Sequence, residues 1–440
     1  MHRSLASGAM CVLLLGTVVS MTRAAEQPGY GATPKIPEPK ESWLPVLNWT
    51  VASEPWPDGM TPKAADGLSV QAFAKNLKHP RWLHVLPNGD VLVAEAAAEP
   101  GQSWSPRAIA QAWVQRRSGS ITENANRISL LRDTNADGVA DQTSVFLEGL
   151  RQPFGMALIG DQLYVANTDS VVRFPYQSGQ TKITEKGTKL LDLPVGHHWT
   201  RALLASKDGT KLYITVGSGS NIGEKGMDIE AGRATILELD IQSGKSRTFA
   251  SGLRNANGMA FEPSSGTLWT VVNERDEIGD DTPPDYLTSV KDGGFYGWPY
   301  SYWGKTVDQR VQPQRPELVA TAITPDYALG GHTASLGLAY YDGSALPDRF
   351  KGGMMIGQHG SWNRSVYSGY KVIFVPFAEG RPREPAIDVL TGFLKSDDSG
   401  KAYGRPVGVT VDSAGALLVA DDTGNTVWRV TGVQRQSQSP

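Results

Sequence analysis

The sequence predicts an all-β protein, a six-bladed β-propeller with long insertions between its strands. Three observations carry this reading. The 440 residues include 48 glycines and 28 prolines, with 40 % hydrophobic and 20 % charged residues. That turn-rich composition excludes a disordered chain and a simple helical bundle. A strand–turn–strand unit recurs six times along the chain. The turn glycines of these units stand roughly 65 residues apart, wider than the roughly 40–50 of common blades, so long insertions are implied. Closing six such units into a ring removes long exposed sheet edges; a pair of β-sandwiches is the competing architecture.

The elements follow in chain order. A basic start (Met1-His2-Arg3), an apolar run over Met10–Val19 and the small residues Ala24-Ala25 read as a secretory signal peptide over 1–25. The apolar run is too short for a membrane anchor. Cys11, the single cysteine, falls inside that segment, so the mature chain carries no disulfide, no thiolate chemistry and no C-x-x-C-H haem site. The formal net charge of −3 becomes −5 once Arg3 and Arg23 are removed, leaving 40 basic against 45 acidic residues. This balance gives no support to bulk nucleic-acid binding. Export without disulfides points to a periplasmic or secreted protein. Residues 26–64 form an irregular, proline-containing arm, 65–433 the propeller, and 434–440 a polar tail.

Each repeat has a polar loop ending in His or Arg, a short apolar strand, a glycine turn and a second apolar strand. The six begin at His79-Pro80-Arg81, Arg151-Gln152, His197 to Arg201, Leu253-Arg254-Asn255, His332-Thr333 and Gly404-Arg405. Gly67–Phe73 is a candidate outer strand for the last blade. One insertion, Ser105–Arg116, reads as a helix, with serine as cap and Pro106 in the first turn.

Residues just ahead of the first strand of each unit fall at one end of the central channel. Here they are His79 or Arg81, Arg151, His197 with Arg201, Arg254 with Asn255, His332 and Arg405. Like charges converging on one hole repel unless an anion sits among them. The pattern therefore points to a ligand with several carboxylates or phosphates, which Arg binds through paired hydrogen bonds. His197 is the candidate general base, since imidazole is poised near neutral pH. The acidic stretch Glu274–Asp285 is rich in the oxygen ligands that hard cations prefer. Asp133–Asp141 matches the first part of a calcium loop, but Ser144 stands where a bidentate Glu is needed, so it reads as a polar turn.

Leu253-Arg254-Asn255, the acidic loop leading to Gly293-Gly294-Phe295-Tyr296-Gly297-Trp298-Pro299, and Gly404-Arg405 resemble the glucose/sorbosone dehydrogenase family. His359–Arg364 and Asp276–Leu287 place the resemblance nearest the sorbosone and pyranose dehydrogenase branch; it covers roughly residues 65–431. The resemblance implies a soluble six-bladed quinoprotein using pyrroloquinoline quinone (PQQ) and calcium. It implies His197 as the catalytic base, with Arg254 polarising the quinone. Arg201, Arg254, Asn255, His332, Arg364 and Arg405 are then expected to contact the cofactor. Glu274, Asp276, Asp285 and Tyr296 are the expected metal-site residues. Three positions depart from the family pattern. Val407 stands where some members have a second late arginine, and the fifth-blade lysine is missing, which leaves Arg364 or Lys371 in its place. Tyr286 occupies the position of a Glu that serves a structural calcium in relatives.

The expected activity is oxidation of an aldose or related sugar aldehyde by hydride transfer to PQQ. Electrons then pass to an external acceptor (a quinone, cytochrome or dye), because no haem is encoded. Trp199, Trp298 and Trp362 offer flat faces for a sugar ring. A calcium-dependent lactonase and a non-catalytic binding propeller are the competing functions. Such a lactonase has no need of a cationic ring, and fold alone would not decide among the three.

Overall fold

The computed structural model describes residues 28–40, 50–99 and 106–433. The expected signal peptide, the polar tail and the serine proposed to cap the helix lie outside these residues.

Six antiparallel sheets form the blades. Blade 1 runs through Pro80–Val85, Val91–Glu95, Arg127–Arg132 and Gln142–Leu147; blade 2 through Met156–Ile159, Gln162–Ala166, Ser170–Pro175 and Thr188–Asp192. Blade 3 comprises Leu203–Ala205, Lys211–Val216, Thr235–Asp240 and Ser246–Ser251, with Gly294–Phe295 added in parallel. Blade 4 comprises Ala256–Phe261, Leu268–Val272, Pro284–Ser289 and Tyr327–Gly331; blade 5 comprises Ser335–Tyr341, Gly353–Gln358, Lys371–Ala378 and Ile387–Thr391. The first strands of neighbouring blades touch in a closed ring, with blade 6 (Pro406–Val411) meeting blade 1. The sequence reads this way because alternating residues of each middle strand must pack on both faces. Leu92, Val165, Ile214, Val271, Ile356 and Val419 are all wholly buried between blades.

Blade 6 closes the ring. Its strands Pro406–Val411, Leu417–Asp421 and Thr426–Gly432 are completed by Leu68–Ala74, which pairs antiparallel with the last of them, Val70 opposite Val430. The N-terminal strand expected from the sequence thus seals first and last blades together. The described residues of the arm before it are mostly irregular, yet they add three two-residue strands. Tyr30–Gly31 pairs with Tyr327–Gly331, Ala52–Ser53 with Lys401–Ala402, and Lys63–Ala64 with Ile387–Thr391. Trp56 from the arm packs against Phe393, Tyr403 and Trp428 and donates its Nε1–H to Asp421 at 2.8 Å. The predicted helix is observed as Pro106–Arg117, between the second and third strands of blade 1.

Candidate active site

In a blade the first and second strands run antiparallel. The residue before strand one and the residue after strand two therefore reach the same end of the channel. Both sets converge here, in two halves.

The first half belongs to blades 3 and 4. Arg254 is buried and saturated with acceptors. Its Nε donates to the Asn221 carbonyl at 3.1 Å, and Nη1 to the Glu274 carbonyl at 2.5 Å. Nη2 donates to Asn221 Oδ1 at 3.0 Å and lies 3.4 Å from Asp276 Oδ2. Asp276 also meets His332 Nδ1 at 3.2 Å, while His332 Nε2 lies 3.0 Å from the Gly279 carbonyl. Burial alone would lower the pKa of His332, but the hydrogen bond and charge of Asp276 reverse the direction and raise it. Both ring nitrogens are thus committed to the acidic loop.

His197 stands differently. It is exposed at the channel mouth and has no hydrogen-bond partner among the described residues. The protein around it still strips away enough bulk water, with help from the positive charges of Arg254 and Lys225, to pull its pKa down to about 4. It is therefore neutral at physiological pH, with a nitrogen lone pair open to a ligand. His198 packs edge-on against it, ring centres 4.6 Å apart, because the chain bends at 196–197 instead of running as a strand. Its Nδ1 lies 2.8 Å from the Ser218 carbonyl. Gly217 permits this packing: a Cβ there would sit 2.4 Å from Asn255 Oδ1 and 2.6 Å from His198 Cβ.

The second half belongs to blades 5, 6 and 1, and centres on Asp422, which is wholly buried. Its Oδ2 accepts from Arg81 Nη1 at 2.5 Å, and lies 2.7 Å from His359 Nε2 and 3.4 Å from His79 Nε2. Burial would raise the Asp422 pKa, but the surrounding His and Arg groups hold it well below the usual carboxylate range. Burial pulls His79 to about 4 and His359 to about 3. The cluster is thus a carboxylate paired with Arg81, flanked by neutral imidazoles. Arg81 lies over Trp199 at 5.4 Å and Phe154 at 5.8 Å, and its Nε is buried without a partner. Arg405 donates to the carbonyls of His359 at 2.8 Å and Gly360 at 2.9 Å.

The remaining expected site residues fall outside this convergence or serve it indirectly. Arg201 is wholly buried; its Nη1 and Nη2 donate to the carbonyls of His198, Thr200 and Pro194, which fixes the loop carrying His197, while its Nε is buried without a partner. Arg364 binds the Asp280 carbonyl and the Asp281 carboxylate. Arg151 is half exposed and paired with Asp169 and Glu99; the buried Gln152 takes the inward position. Tyr296 donates its hydroxyl to the Ser289 carbonyl at 2.5 Å, beside the outer part of blade 4. Asp285 accepts from the backbone N–H of Glu274 and Ala334 and from the Thr333 hydroxyl. Burial pushes Glu274 up to about 7, and its Oε1 has no partner. Among the described residues, no three His, Cys, Asp or Glu side chains are grouped to hold a metal ion.

A search limited to residues preceding first strands passes over Asp422, Asn221 and His359. The sequence does carry a signal for Asp422: in Leu417–Asp422, two carboxylates directly follow an apolar strand.

Residues 62–285 and 313–433 match the family model described as TrAA12-like. The chain belongs to this family. A relative from Hypocrea jecorina, named a pyrroloquinoline quinone-dependent sugar dehydrogenase, is 22 % identical over 307 residues, 62 % of this chain and 64 % of that protein. The chain therefore spans slightly under two thirds of that relative. The holo PQQ domain of Coprinopsis cinerea pyranose dehydrogenase superposes with TM-score 0.69 at 21 % identity, covering 86 % of this TrAA12-like chain and 98 % of that one. A calcium structure of the Trichoderma reesei family AA12 enzyme gives TM-score 0.69 at 19 % identity, covering 89 % and 99 %. At these identities the two superpositions establish the fold.

Proposed function

We propose that this TrAA12-like protein is a quinone-dependent oxidoreductase of sugars, with PQQ as cofactor, calcium beside it and an external electron acceptor. The observation that carries the reading is the channel mouth. An unpartnered neutral imidazole, His197, stands within reach of the Arg254 charge, at an end of the channel that also receives the buried guanidinium groups of Arg81 and Arg405. The family match and the name of the H. jecorina relative support the same conclusion.

The donor set suits a polycarboxylate quinone. Arg81 keeps a buried Nε without an acceptor, and Arg405 and Arg254 bring two further guanidinium groups to the channel. Arg81, Arg405 and Asn255 would hold the cofactor, while Arg254, its donors engaged by the acidic loop and Asn221, would add positive charge beside it. When bound, PQQ supplies the ortho-quinone that accepts a hydride. The chain's part is to orient substrate and move the proton. An imidazole nitrogen of His197 takes the proton of the sugar hydroxyl as the carbon-bound hydrogen leaves with its electron pair. Arg201 holds the His197 loop in place through the carbonyls of His198 and Thr200. Trp199, stacked on Arg81, offers an apolar wall for the sugar ring.

Calcium fits through few oxygens. Asp276 and Asp285 already face protein donors, which leaves the orphaned Glu274 Oε1, backbone carbonyls and the cofactor's own carboxylates. No helix among the described residues is long and apolar enough to cross a membrane. With the amino-terminal signal read from the sequence, this supports a periplasmic or secreted location.

The test is dye reduction by the purified chain with PQQ, calcium and an aldose panel. Cofactor-dependent reduction that is lost in His197→Ala is expected. Reduction that survives this substitution removes His197 from the mechanism, and no reduction with any sugar by folded protein overturns the function.

A further inference from the structure

We propose that the helix Pro106–Arg117, with the adjoining Val366–Tyr367 corner, is the docking site for an acidic protein that takes up electrons one at a time. The inference rests on the dehydrogenase reading, since that reaction must export two electrons per sugar.

The helix presents the wrong face to water. Ile109 is 56 % exposed and Trp113 61 % exposed, while Val114 is buried. Ile109, Trp113 and Arg117 are spaced four residues apart, so they form one stripe along the outer surface. Arg117 lies 5.9 Å from the Trp113 ring centre. The Arg117 charge also acts on Tyr367 of the blade 5 loop, next to Val366, which is 65 % exposed. An exposed Trp flanked by Arg and aliphatic groups matches the composition of interface hot spots.

The charge has one sign. The helix sequence, PRAIAQAWVQRR, contains no acidic residue, and Arg116 and Arg117 occupy its last turn. Neither has a carboxylate partner among the described residues. The two carboxylates nearest the helix in sequence are engaged elsewhere: Glu123 lies 3.7 Å from Lys78, and Glu99 lies 3.8 Å from Arg151. In a chain of net charge −3, an unpaired cationic patch selects an acidic partner and steers its approach.

Its position suits electron transfer. The helix runs directly into Ser118–Ser120, and Ser120 Oγ lies 3.5 Å from Arg405 Nη1 in the channel wall. A partner seated on the stripe is thus beside the candidate cofactor site. Each sugar oxidised loses two electrons and two protons. Two partner molecules gain one electron each, and the protons pass to water.

The experiment uses the full chain loaded with PQQ and calcium, and oxidised plastocyanin, an acidic blue-copper protein, as acceptor. Sugar-dependent bleaching of the copper colour gives kcat and KM; surface plasmon resonance gives binding without turnover. The plastocyanin KM is expected to rise with salt. R116E/R117E should raise it at least about tenfold at low ionic strength and flatten its salt dependence. W113A should weaken binding at all salt concentrations. Reduction of a small neutral dye and thermal stability should not change in either variant, because these side chains lie outside the site. A basic cytochrome c should be a poor acceptor for the wild type and improve with R116E/R117E. Unchanged plastocyanin KM and binding in the charge-reversal variant overturn the proposal. So does Trp113-dependent binding to phosphatidylserine vesicles with none to plastocyanin. Binding that persists while wild-type dye reduction fails overturns the dehydrogenase reading and leaves the docking surface standing.

Discussion

Asp422→Asn isolates a charge that the fold cannot otherwise neutralise. Asp422 is wholly buried, and the Arg81 side chain is only 8 % exposed. Asparagine keeps the shape and can still accept a hydrogen bond, but it removes the one carboxylate paired with Arg81 among the described residues. Stranding one member of a buried ion pair costs about 3–5 kcal/mol. An unfolding entropy of about 2.1 cal/mol/K per residue gives roughly 0.8 kcal/mol/K for a propeller of about 370 residues. The cofactor-free protein should therefore lose roughly 4–6 °C in Tm. An anionic cofactor would restore the missing negative charge, so the Tm gain on adding PQQ should be larger in the variant than in the wild type. The folded-state pKa of Asp422 is depressed, so its contribution is present above the unfolded carboxylate pKa and is lost as pH falls through the lower folded value. The Tm difference between the two proteins should accordingly shrink in strong acid. Scanning calorimetry with and without PQQ checks this. An unchanged Tm without cofactor would show that Arg81 is not held by this pair, and an equal PQQ gain would show that the cluster does not face the anion.

Two further perturbations test other parts of the wall. Burial raises Glu274 from 4.5 to about 7, so its ionisation opposes folding as pH rises between those values. Glu274→Gln should then match the wild type near pH 4.5 and be more stable by roughly 3 kcal/mol at pH 8.5, measured with chelator present; equal stability at pH 8.5 would refute the buried, unpaired carboxyl. Gly330 has φ +93°, and a Cβ there would lie 2.1 Å from the Tyr30 ring. Gly330→Ala should expel the Tyr30–Gly31 strand and make residues 28–40 protease-sensitive while the propeller stays folded, as read by limited proteolysis and circular dichroism; an arm as resistant as in the wild type would count against the packing.

The fold was legible because a propeller writes itself locally. Short apolar strands, glycine turns and a regular order of units survive in the sequence even where insertions vary, and the closing strand at Leu68–Ala74 has the same apolar alternation. The convergence of residues at the candidate site was legible in half. Polar residues preceding first strands pointed to Arg254, His197 and Arg405, because that position is fixed by the blade itself. What such a scan lacks is partnership. Arg201 and Arg364 look like ligand-binding cations in one dimension, yet Arg201 turns back onto carbonyls of its own loop and Arg364 is held by a carbonyl and a carboxylate of the acidic loop. Asp422 reaches the channel from the far end of a second strand, and only antiparallel pairing explains why it meets His79, 343 positions away.

The acidic loop shows why its own chemistry is hardest to read. Residues 273–283 form no strand or helix, so their path is set by what grips them. The arm holds the loop from outside, through Lys40 N–H to the Ile278 carbonyl at 2.7 Å and the Thr282 hydroxyl to the Pro37 carbonyl at 2.8 Å. Blade 5 holds it through Arg364 on the Asp280 carbonyl, and Arg254 holds it from the channel side. The carboxylates therefore serve two ends: Asp281 anchors the loop, while Asp276 sets the charge beside His197 and Arg254. A loop shaped by three remote segments transmits a disturbance of any one of them to the channel, which makes the arm part of the site's scaffold although none of its described residues enters the channel cluster.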